Sequence, residues 1–500
     1  MTMTDFADER NNSAPAFDGL TVFAFLWAGQ TIVQITFFAE FGTVLDPIGL
    51  VALAFAVLTL LYPGNLQLFL ATIVAATAHY VNQWPFVSNH VVLDSFLSVA
   101  ILGAAVMAFG RDVFRPSSAD RAPRAEMMRI LSPPVLAMFM LMYFWIVLSK
   151  MNHDFADGSV SCMHAMYNSF LSREKLLALL ASPFDVEFLF WLFMVVELIL
   201  PILLLIRRTR LAAIYIGVPF HLLLGIMGHF SYSSLVLTLY ALVAMPAIME
   251  VLPAIAGAIG WPRRARVARI VFAVYLALVL GIFFAEFLIW QDIGVFGYKA
   301  VVFNWLLVAG PLGLLIVLAT LRVHLLRGFF DETTAPRLLS TRPGWLWIVV
   351  GLMSLNSLSP YIGYKTTGAI SMYSNLRTEG GMNNHWFMPS VDLFGLQSDL
   401  VEIVGSNNAK VLALGTHPTR YGNPDVRLPV YVTYFELRRL VSSLGDEELW
   451  VEYIRNGEKR RYVRGAATNP DVDLDRGIPL LLAKTASFRP VFKDAAYCLH

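Results

Sequence analysis

Charge is scarce in this chain and cysteine nearly absent, and each shortage excludes a class of protein. Asp, Glu, Lys and Arg supply 15% of the 500 residues, against 57% hydrophobic and 13% aromatic, and the mean hydropathy is +0.62. A soluble domain carries about 25% charged residues, so the sequence reads as a polytopic integral membrane protein. A net charge of +1 provides no basic field for nucleic acid, and no such partner is expected. Two cysteines, Cys162 and Cys498, form neither a disulfide framework nor a CxxC metal or redox motif; whether they pair is open at this level. The opening stretch MTMTDFADERNNSAPAFDG is acidic, unlike the basic start of a cleavable secretory signal, so the first apolar helix is expected to stay in the mature protein.

What is present is a succession of apolar runs. Stretches of about 17–25 residues, enough to cross about 30 Å of hydrocarbon, fall near 19–42, 46–62, 65–83, 89–110, 129–150, 184–206, 211–229, 233–255, 267–290, 299–321 and 344–360. They predict a mainly α, polytopic bundle of about 9–11 helices. The second and third runs are divided by Tyr62-Pro63-Gly64-Asn65, a turn signal that also suits a re-entrant pair. Arginine sets the orientation. Arg111, Arg115, Arg121, Arg124 and Arg129 share one loop, Arg207, Arg208 and Arg210 a second, Arg263, Arg264, Arg266 and Arg269 a third, and Arg322, Arg327, Arg337 and Arg342 a fourth. By the positive-inside rule these loops are cytoplasmic. The expected layout is a cytoplasmic tail over 1–18, a membrane domain over 19–360, and a small non-cytoplasmic α+β or β-rich domain over 361–500. A bacterial inner membrane, with lipid as a partner and the C-terminal domain periplasmic or extracellular, fits this layout. In the C-terminal domain KVLALG and LWVEYIRNGEKRRYVRG read as strands, the second as a hairpin around Asn456-Gly457. YVTYFELRRLVSSLG reads as a helix stopped by Gly445.

The same orientation gathers polar residues at the outer face. Asn89 and His90 open the fourth run, Lys150 closes the fifth, and His221 and His229 lie in the outer half of the seventh, where Gly217, His221, Gly225, Gly228 and His229 share one helical stripe. Ordinary explanations exist for each. A lysine at the end of a span is a snorkelling anchor, a glycine stripe is small-residue helix packing, and His221 is a hydrogen-bonded core histidine. Glu197, four residues before Pro201, satisfies a helix opened by that proline. The cost of an ammonium at membrane depth keeps a functional reading beside these.

The succession SNH at 88–90, SKMNHDF at 149–155, ELILPILLLIRRTR at 197–210 and FHLLLGIMGHFSYSSL at 220–235 resembles the membrane core of the vitamin K-dependent gamma-carboxylase family, known in bacteria as the horizontally transferred transmembrane domain. SPYIGYKTTGAISMYSNLRTEGGMNNHWF at 359–387 is similar to the stretch that follows the last helices in bacterial members. The resemblance implies that a lysine matching Lys150 is the base for a reduced, vitamin K-like hydroquinone, which reacts with oxygen. The alkoxide so formed removes a γ-proton from a protein glutamate, carbon dioxide traps the carbanion, and the quinone leaves as its epoxide. It implies that Asn89 and His90 orient the quinol and that His221 supports them. Gly217, Gly225, Gly228, His229 and Tyr143 become quinone-pocket candidates, Glu197 and Arg210 supporting residues, and Asn383, Asn384 and His385 outer-domain candidates. The cofactors implied are a reduced quinone, oxygen and carbon dioxide, with no metal, and a protein or peptide substrate on the non-cytoplasmic face. A lysine desolvated to its neutral form suits a general base.

The C-terminal domain is short beside that of the animal carboxylases and offers no recognisable region for a propeptide-bearing substrate, so quinol epoxidation without carboxylation is a second expectation. A transporter would show discontinuous helices in matching halves, which the sequence does not display. A non-catalytic scaffold docking through Asn383-Asn384-His385-Trp386 is a further class. A zinc site of His385 with His221 or His229 lacks HxxxH or HExxH spacing.

Overall fold

The computed structural model describes residues 18–37, 46–114, 121–173, 186–258, 265–290, 295–329, 336, 344–418, 426–445, 448–493 and 498. Arg115, Arg263, Arg264, Arg337 and Arg342 of the arginine loops, and most of the tail over 1–18, lie outside the described residues. The chain is mostly helical. Its helices are α1 (Gly19–Phe37), α2 (Pro47–Leu61), α3 (Leu66–Gln83), α4 (Asn89–Phe109), α5 (Arg121–Lys150), the single turn α6 (His153–Ala156), α7 (Cys162–Arg173) and α8 (Val186–Leu205). They continue with α9 (Ala213–Leu224), α10 (Phe230–Val243), α11 (Met245–Ala258), α12 (Ala265–Trp290), α13 (Val295–Arg327) and α14 (Leu346–Ile362). Among the described residues five stretches are, by length and composition alone, long and apolar enough to cross a membrane: Gly19–Thr36, Asn89–Val113, Ala122–Lys150, Ala213–Val243, which is interrupted at Gly225–His229, and Phe303–Arg327. Others, such as Pro47–Leu61 and Leu346–Ile362, are apolar but shorter. On α12, Val267, Ile270, Val271, Val274 and Leu278 are uncovered; their spacing is one helical face, and an apolar face left bare suits lipid rather than water.

The chain forms two compact units. The first comprises Met1–His79, Phe96–Met140 and Leu200–Val349, the second Tyr80–Ser95, Leu141–Ile199 and Val350–His500. In the first, Arg124 ties three helix ends together. It donates from Nε to Asp18 Oδ2 at 2.5 Å, from Nη2 to Thr21 Oγ1 at 2.9 Å and from Nη1 to the Gly64 carbonyl at 3.2 Å. Burial pushes the Asp18 carboxyl up, but the Arg124 and Thr21 bonds outweigh it and the net shift is down. The Tyr62-Pro63-Gly64-Asn65 turn joins α2 to α3, which pack side by side with the Thr59 and Thr72 hydroxyls 2.9 Å apart. Asp46 caps α2 by accepting from Ile48 N with Pro47 in the first turn, where a missing N–H costs nothing.

The stretch 213–243 contains the reversal that two successive spans near 211–229 and 233–255 require, but its arms of 12 and 14 residues are shorter than a span. A straight helix would separate Gly217 from Tyr240 by about 35 Å at 1.5 Å per residue, yet a Cβ on Gly217 would collide with the Tyr240 hydroxyl. The His221 ring stands 5.3 Å from that of Tyr232 and 6.2 Å from that of Tyr240. α9 and α10 therefore fold back on each other. The reversal is at the π turn Gly225–His229, where Gly228 has φ 103°, a conformation that only glycine adopts cheaply.

The second unit holds the C-terminal sheet: β1 (Leu400–Ser406), β2 (Thr416–Pro418), β3 (Arg427–Thr433), β4 (Trp450–Arg455), β5 (Glu458–Val463) and β6 (Val491–Phe492), with helices α15 (Ala409–Leu414), α16 (Tyr434–Ser443) and α17 (Leu480–Thr485) between them. The order is β2-β3-β1-β4-β5, with β6 also on β3, and every pairing is antiparallel. The expected hairpin is present, with Asn456 and Gly457 at φ 54° and 78°, as a two-residue turn of this type requires. α16 also forms where expected, capped by Thr433 and followed by Gly445 at φ 65°. KVLALG is not a strand. Asn408 accepts from Lys410 N and Val411 N and starts α15 there, because a side-chain cap at Asn408 outweighs the weak β preference of a short, mostly apolar run.

Candidate functional site

Lys150 is the last residue of α5 and is buried, 9% exposed. Its ammonium donates to Glu197 Oε2 of α8 at 2.5 Å and lies 5.5 Å from the centre of the Phe155 ring. The sequence reading put imidazole and amide partners around this amine; the structure puts a carboxylate there. Glu197 answers Lys150 rather than the helix opened by Pro201. Tyr143, two turns earlier on α5, is fully buried.

The backbone after Lys150 is fixed by the segment 374–388. Asn152 donates to the Ser149 and Ser374 carbonyls and caps α6 through Phe155 N. Asn384 donates to Asp154 Oδ2 at 2.7 Å, Asn152 Oδ1 at 3.3 Å and the Asn375 carbonyl at 2.8 Å, while its Oδ1 accepts from Arg377 N. Asn383 accepts from His385 N and donates to the Met388 carbonyl. His385 Nδ1 accepts from Phe387 N and Met388 N, so Nε2 carries the proton and donates it to the Leu148 carbonyl at 2.8 Å. Burial pushes His385 below the usual histidine range, consistent with a neutral ring locked in one tautomer. Asn384 and His385 thus clasp the end of α5 and the turn after it, while the exposed Asn383 bonds only within its own segment. The same unit contains the Cys162–Cys498 disulfide, with Cα atoms 4.7 Å apart, and Cys162 N donates to Asn375 Oδ1 at 2.7 Å.

Asn89 and His90 form the first turn of α4. His90 is buried, and Asn89 Oδ1 is buried with no hydrogen-bond partner, an arrangement that costs about 1–3 kcal/mol unless a ligand or water answers it. Such an open acceptor suits a hydroxyl-bearing group.

The remaining candidates lie in the first unit. His221 is fully buried among Phe220, Tyr232 and Tyr240. The glycine stripe is corrected on two counts: Gly228 breaks the helix, so Gly228 and His229 do not continue the face of Gly217 and His221, and the other two glycines are covered by the protein itself. Tyr240 closes on Gly217 and Trp305 on Gly225, leaving ring-to-backbone packing where a flat ligand was expected. Arg210 is a helix cap: it donates to the Leu204 and Leu205 carbonyls at 2.6 and 2.9 Å and to that of Pro336, satisfying the last carbonyls of α8.

Compared with protein-family models, curated proteins and solved structures, the chain finds no match in any of the three.

Among the described residues no group of three or more His, Cys, Asp and Glu is placed to hold a metal. Sequence reasoning missed one basic residue. Lys365 follows α14 by three positions and has no hydrogen-bonding or ionic partner among the described residues, and burial pushes its amine down to about 8. The signal was present in the quoted motif, as a lone lysine just beyond an apolar run.

Proposed function

We propose that this protein is a membrane enzyme of the vitamin K-dependent gamma-carboxylase type, which oxidises a reduced naphthoquinone with oxygen to the epoxide, coupled to carboxylation of a glutamate or another carbon acid. The observation that carries the reading is the buried Lys150–Glu197 pair. A snorkelling lysine keeps its ammonium in water, whereas this one is withdrawn from it and held by a carboxylate at 2.5 Å. Placing two opposite charges there is costly, and the clasp formed by Asn152, Asn384 and His385 holds the end of α5 to one geometry.

In this reading the bound quinol supplies the reaction with oxygen. Lys150, in the form that has lost its proton, accepts the proton of the quinol hydroxyl at Nζ, and Glu197 positions the amine and stabilises the ammonium as it forms. Asn89 Oδ1 accepts a hydrogen bond from the quinol. The finer topology belongs to the same proposal: cytoplasmic N-terminus, about 9–11 membrane helices, and the C-terminal domain outside a bacterial inner membrane. The Cys162–Cys498 bridge supports an oxidising compartment for that domain.

Purified protein given reduced naphthoquinone, oxygen and labelled bicarbonate should form epoxide, and label in the acceptor if carboxylation is coupled. Lys150→Ala should lower epoxide formation by on the order of a hundredfold or more with the fold retained by circular dichroism. Equal turnover in the folded variant would sink the base assignment. A second reading, transport, is favoured by the folded-back pair α9–α10, since broken helices at membrane depth line substrate paths; solute flux in liposomes without quinol turnover would select it.

A further inference from the structure

Large apolar side chains stand uncovered on two pieces of the second unit. The loop over 386–395, WFMPSVDLFG, bares Trp386, Phe387, Leu393 and Phe394, with Phe387 62% and Leu393 67% exposed. α17 bares Leu480 and Leu481, at 75% and 76%. Apolar surface gathered in this way is unfavourable against water and marks an interaction face.

Both pieces are tied to the ends of apolar helices. Trp386 N donates to the Met151 carbonyl at 3.0 Å, one residue past α5, and the His385 ring holds the Leu148 carbonyl just inside it. Val391 N donates to the Tyr361 carbonyl at 2.8 Å and Leu393 N to the Ile362 carbonyl at 3.1 Å, in the last turn of α14. The Phe394 ring lies 5.1 Å from that of Tyr364, whose hydroxyl bonds the Thr485 hydroxyl of α17 at 2.5 Å. Lys484 of α17 donates to the Asn82 carbonyl in the last turn of α3. The uncovered side chains therefore stand where α3, α5 and α14 end, which is the level at which a crossing helix leaves the hydrocarbon.

The loop is also built to leave water. Its only charge is Asp392, and that carboxylate is used up locally, accepting from Leu396 N, Gln397 N, Ser398 N and the Ser398 hydroxyl. The Phe387 and Met388 amides are answered by the His385 ring, and the Met388 carbonyl by Asn383. Irregular backbone enters lipid only where protein satisfies its polar groups, and these bonds work toward that condition. Tryptophan suits such a boundary, because its body is apolar while its N–H finds a polar partner at headgroup level.

We propose that the loop over 386–395 and α17 form a membrane-dipping surface, which seats Trp386, Phe387, Leu393, Phe394, Leu480 and Leu481 in the phospholipid interface around the ends of α3, α5 and α14. Lipid is the occupant because the surface continues directly from helix ends that lipid surrounds, and the loop offers no free charge with which to select a protein. Since Leu148 and Met151 bracket Lys150, the seat of the loop also fixes the depth of that lysine. The surface depends on the helices crossing a membrane and not on the quinol chemistry.

The test uses the full chain in phosphatidylcholine nanodiscs. Both native cysteines are held in the Cys162–Cys498 bridge, so an introduced cysteine is the sole free thiol for a nitroxide label. Phe387→Cys, Leu393→Cys and Leu481→Cys report on the surface, and Lys459→Cys on the charged strand β5 is the water-facing reference. Oxygen concentrates in hydrocarbon and a polar nickel chelate in water, so power-saturation EPR ranks the depth of each label. At 387, 393 and 481 collision with oxygen should exceed collision with the chelate several-fold, at a depth of about 5–10 Å, and at 459 the order should reverse. Chelate-dominated values at 387 and 393 would overturn the proposal. Shielding of both labels from both reagents would overturn it too, since that is what a contact between protein copies produces. Lipids brominated high on their chains give a check without a label: Trp386→Phe should lower the share of tryptophan fluorescence that they quench, and a share unchanged or raised would overturn the seat of Trp386. None of these readouts needs turnover, so they judge the surface even if the chain proves inactive on quinols.

Discussion

Lys150 and Glu197 bury opposite charges within 2.5 Å, and the cost of removing either is asymmetric. Glu197→Ala leaves an uncompensated ammonium in a withdrawn site, and a loss of about 3–5 kcal/mol is expected, measured by denaturation in detergent; a loss under about 1 kcal/mol would mean that the amine reaches water instead. Asp392 offers a pH test outside the membrane helices. Burial pushes its carboxyl up, but bonds from Ser398, Gln397 and Leu396 outweigh it and the net shift is down. A depressed carboxyl contributes its stability fully above the unfolded value of about 3.9 and loses it as pH falls through the lower folded value. Hydrogen exchange at the amides of Leu396, Gln397 and Ser398 should therefore stay slow at pH 5 and accelerate only in stronger acid. Lys150 was legible in the sequence because a charge in an apolar run is conspicuous. Its partner was not, since 47 residues separate the two and no periodicity connects them. Asn383, Asn384 and His385 were legible as polar residues in a short motif, yet only contacts show that Asn384 and His385 close on the end of α5 and the turn after it while Asn383 bonds within its own segment.

Among the elements, α9 and α10 carry the sharpest consequence. Gly228→Ala would force a side chain into a φ of 103°, costing at least about 1–2 kcal/mol, and Gly225→Ala would meet the Trp305 ring, costing about 1–3 kcal/mol by overpacking. Both losses are expected in thermal melts. If Gly228→Ala were neutral, the chain would not reverse there. The apolar run across 211–255 was plain, but hydropathy counts residues and does not sense direction. Two short arms joined by a glycine turn and a pair of spans read nearly alike, and the arm lengths of 12 and 14 residues distinguish them. In the C-terminal domain the β4–β5 hairpin and α16 were readable because local turn and cap chemistry specifies them. KVLALG was not legible as a helix because a short, mostly apolar run suits helix or strand equally, and the cap that decides it, Asn408, lies two residues before the motif.

For the whole molecule, the disulfide links residues 336 positions apart. Replacing both cysteines by serine should cost about 2–4 kcal/mol, with the native bridge detected as a mobility shift on reduction. A chain that shows free thiols when isolated without reductant would remove the support for an oxidising compartment. Composition by itself determined that this is a helix-rich membrane protein with a mixed C-terminal domain, because burying 57% hydrophobic residues against lipid is a property of the sum. Local chemistry determined the hairpin turn and several caps, because those interactions span only a few residues. Tertiary structure alone decided that Glu197 faces Lys150, that Tyr240 and Trp305 fill the glycine faces, that Cys162 meets Cys498 and that Trp386 is tied to the end of α5. Each of these joins residues distant along the chain, and their meeting depends on how the helices and loops pack, which no local pattern encodes.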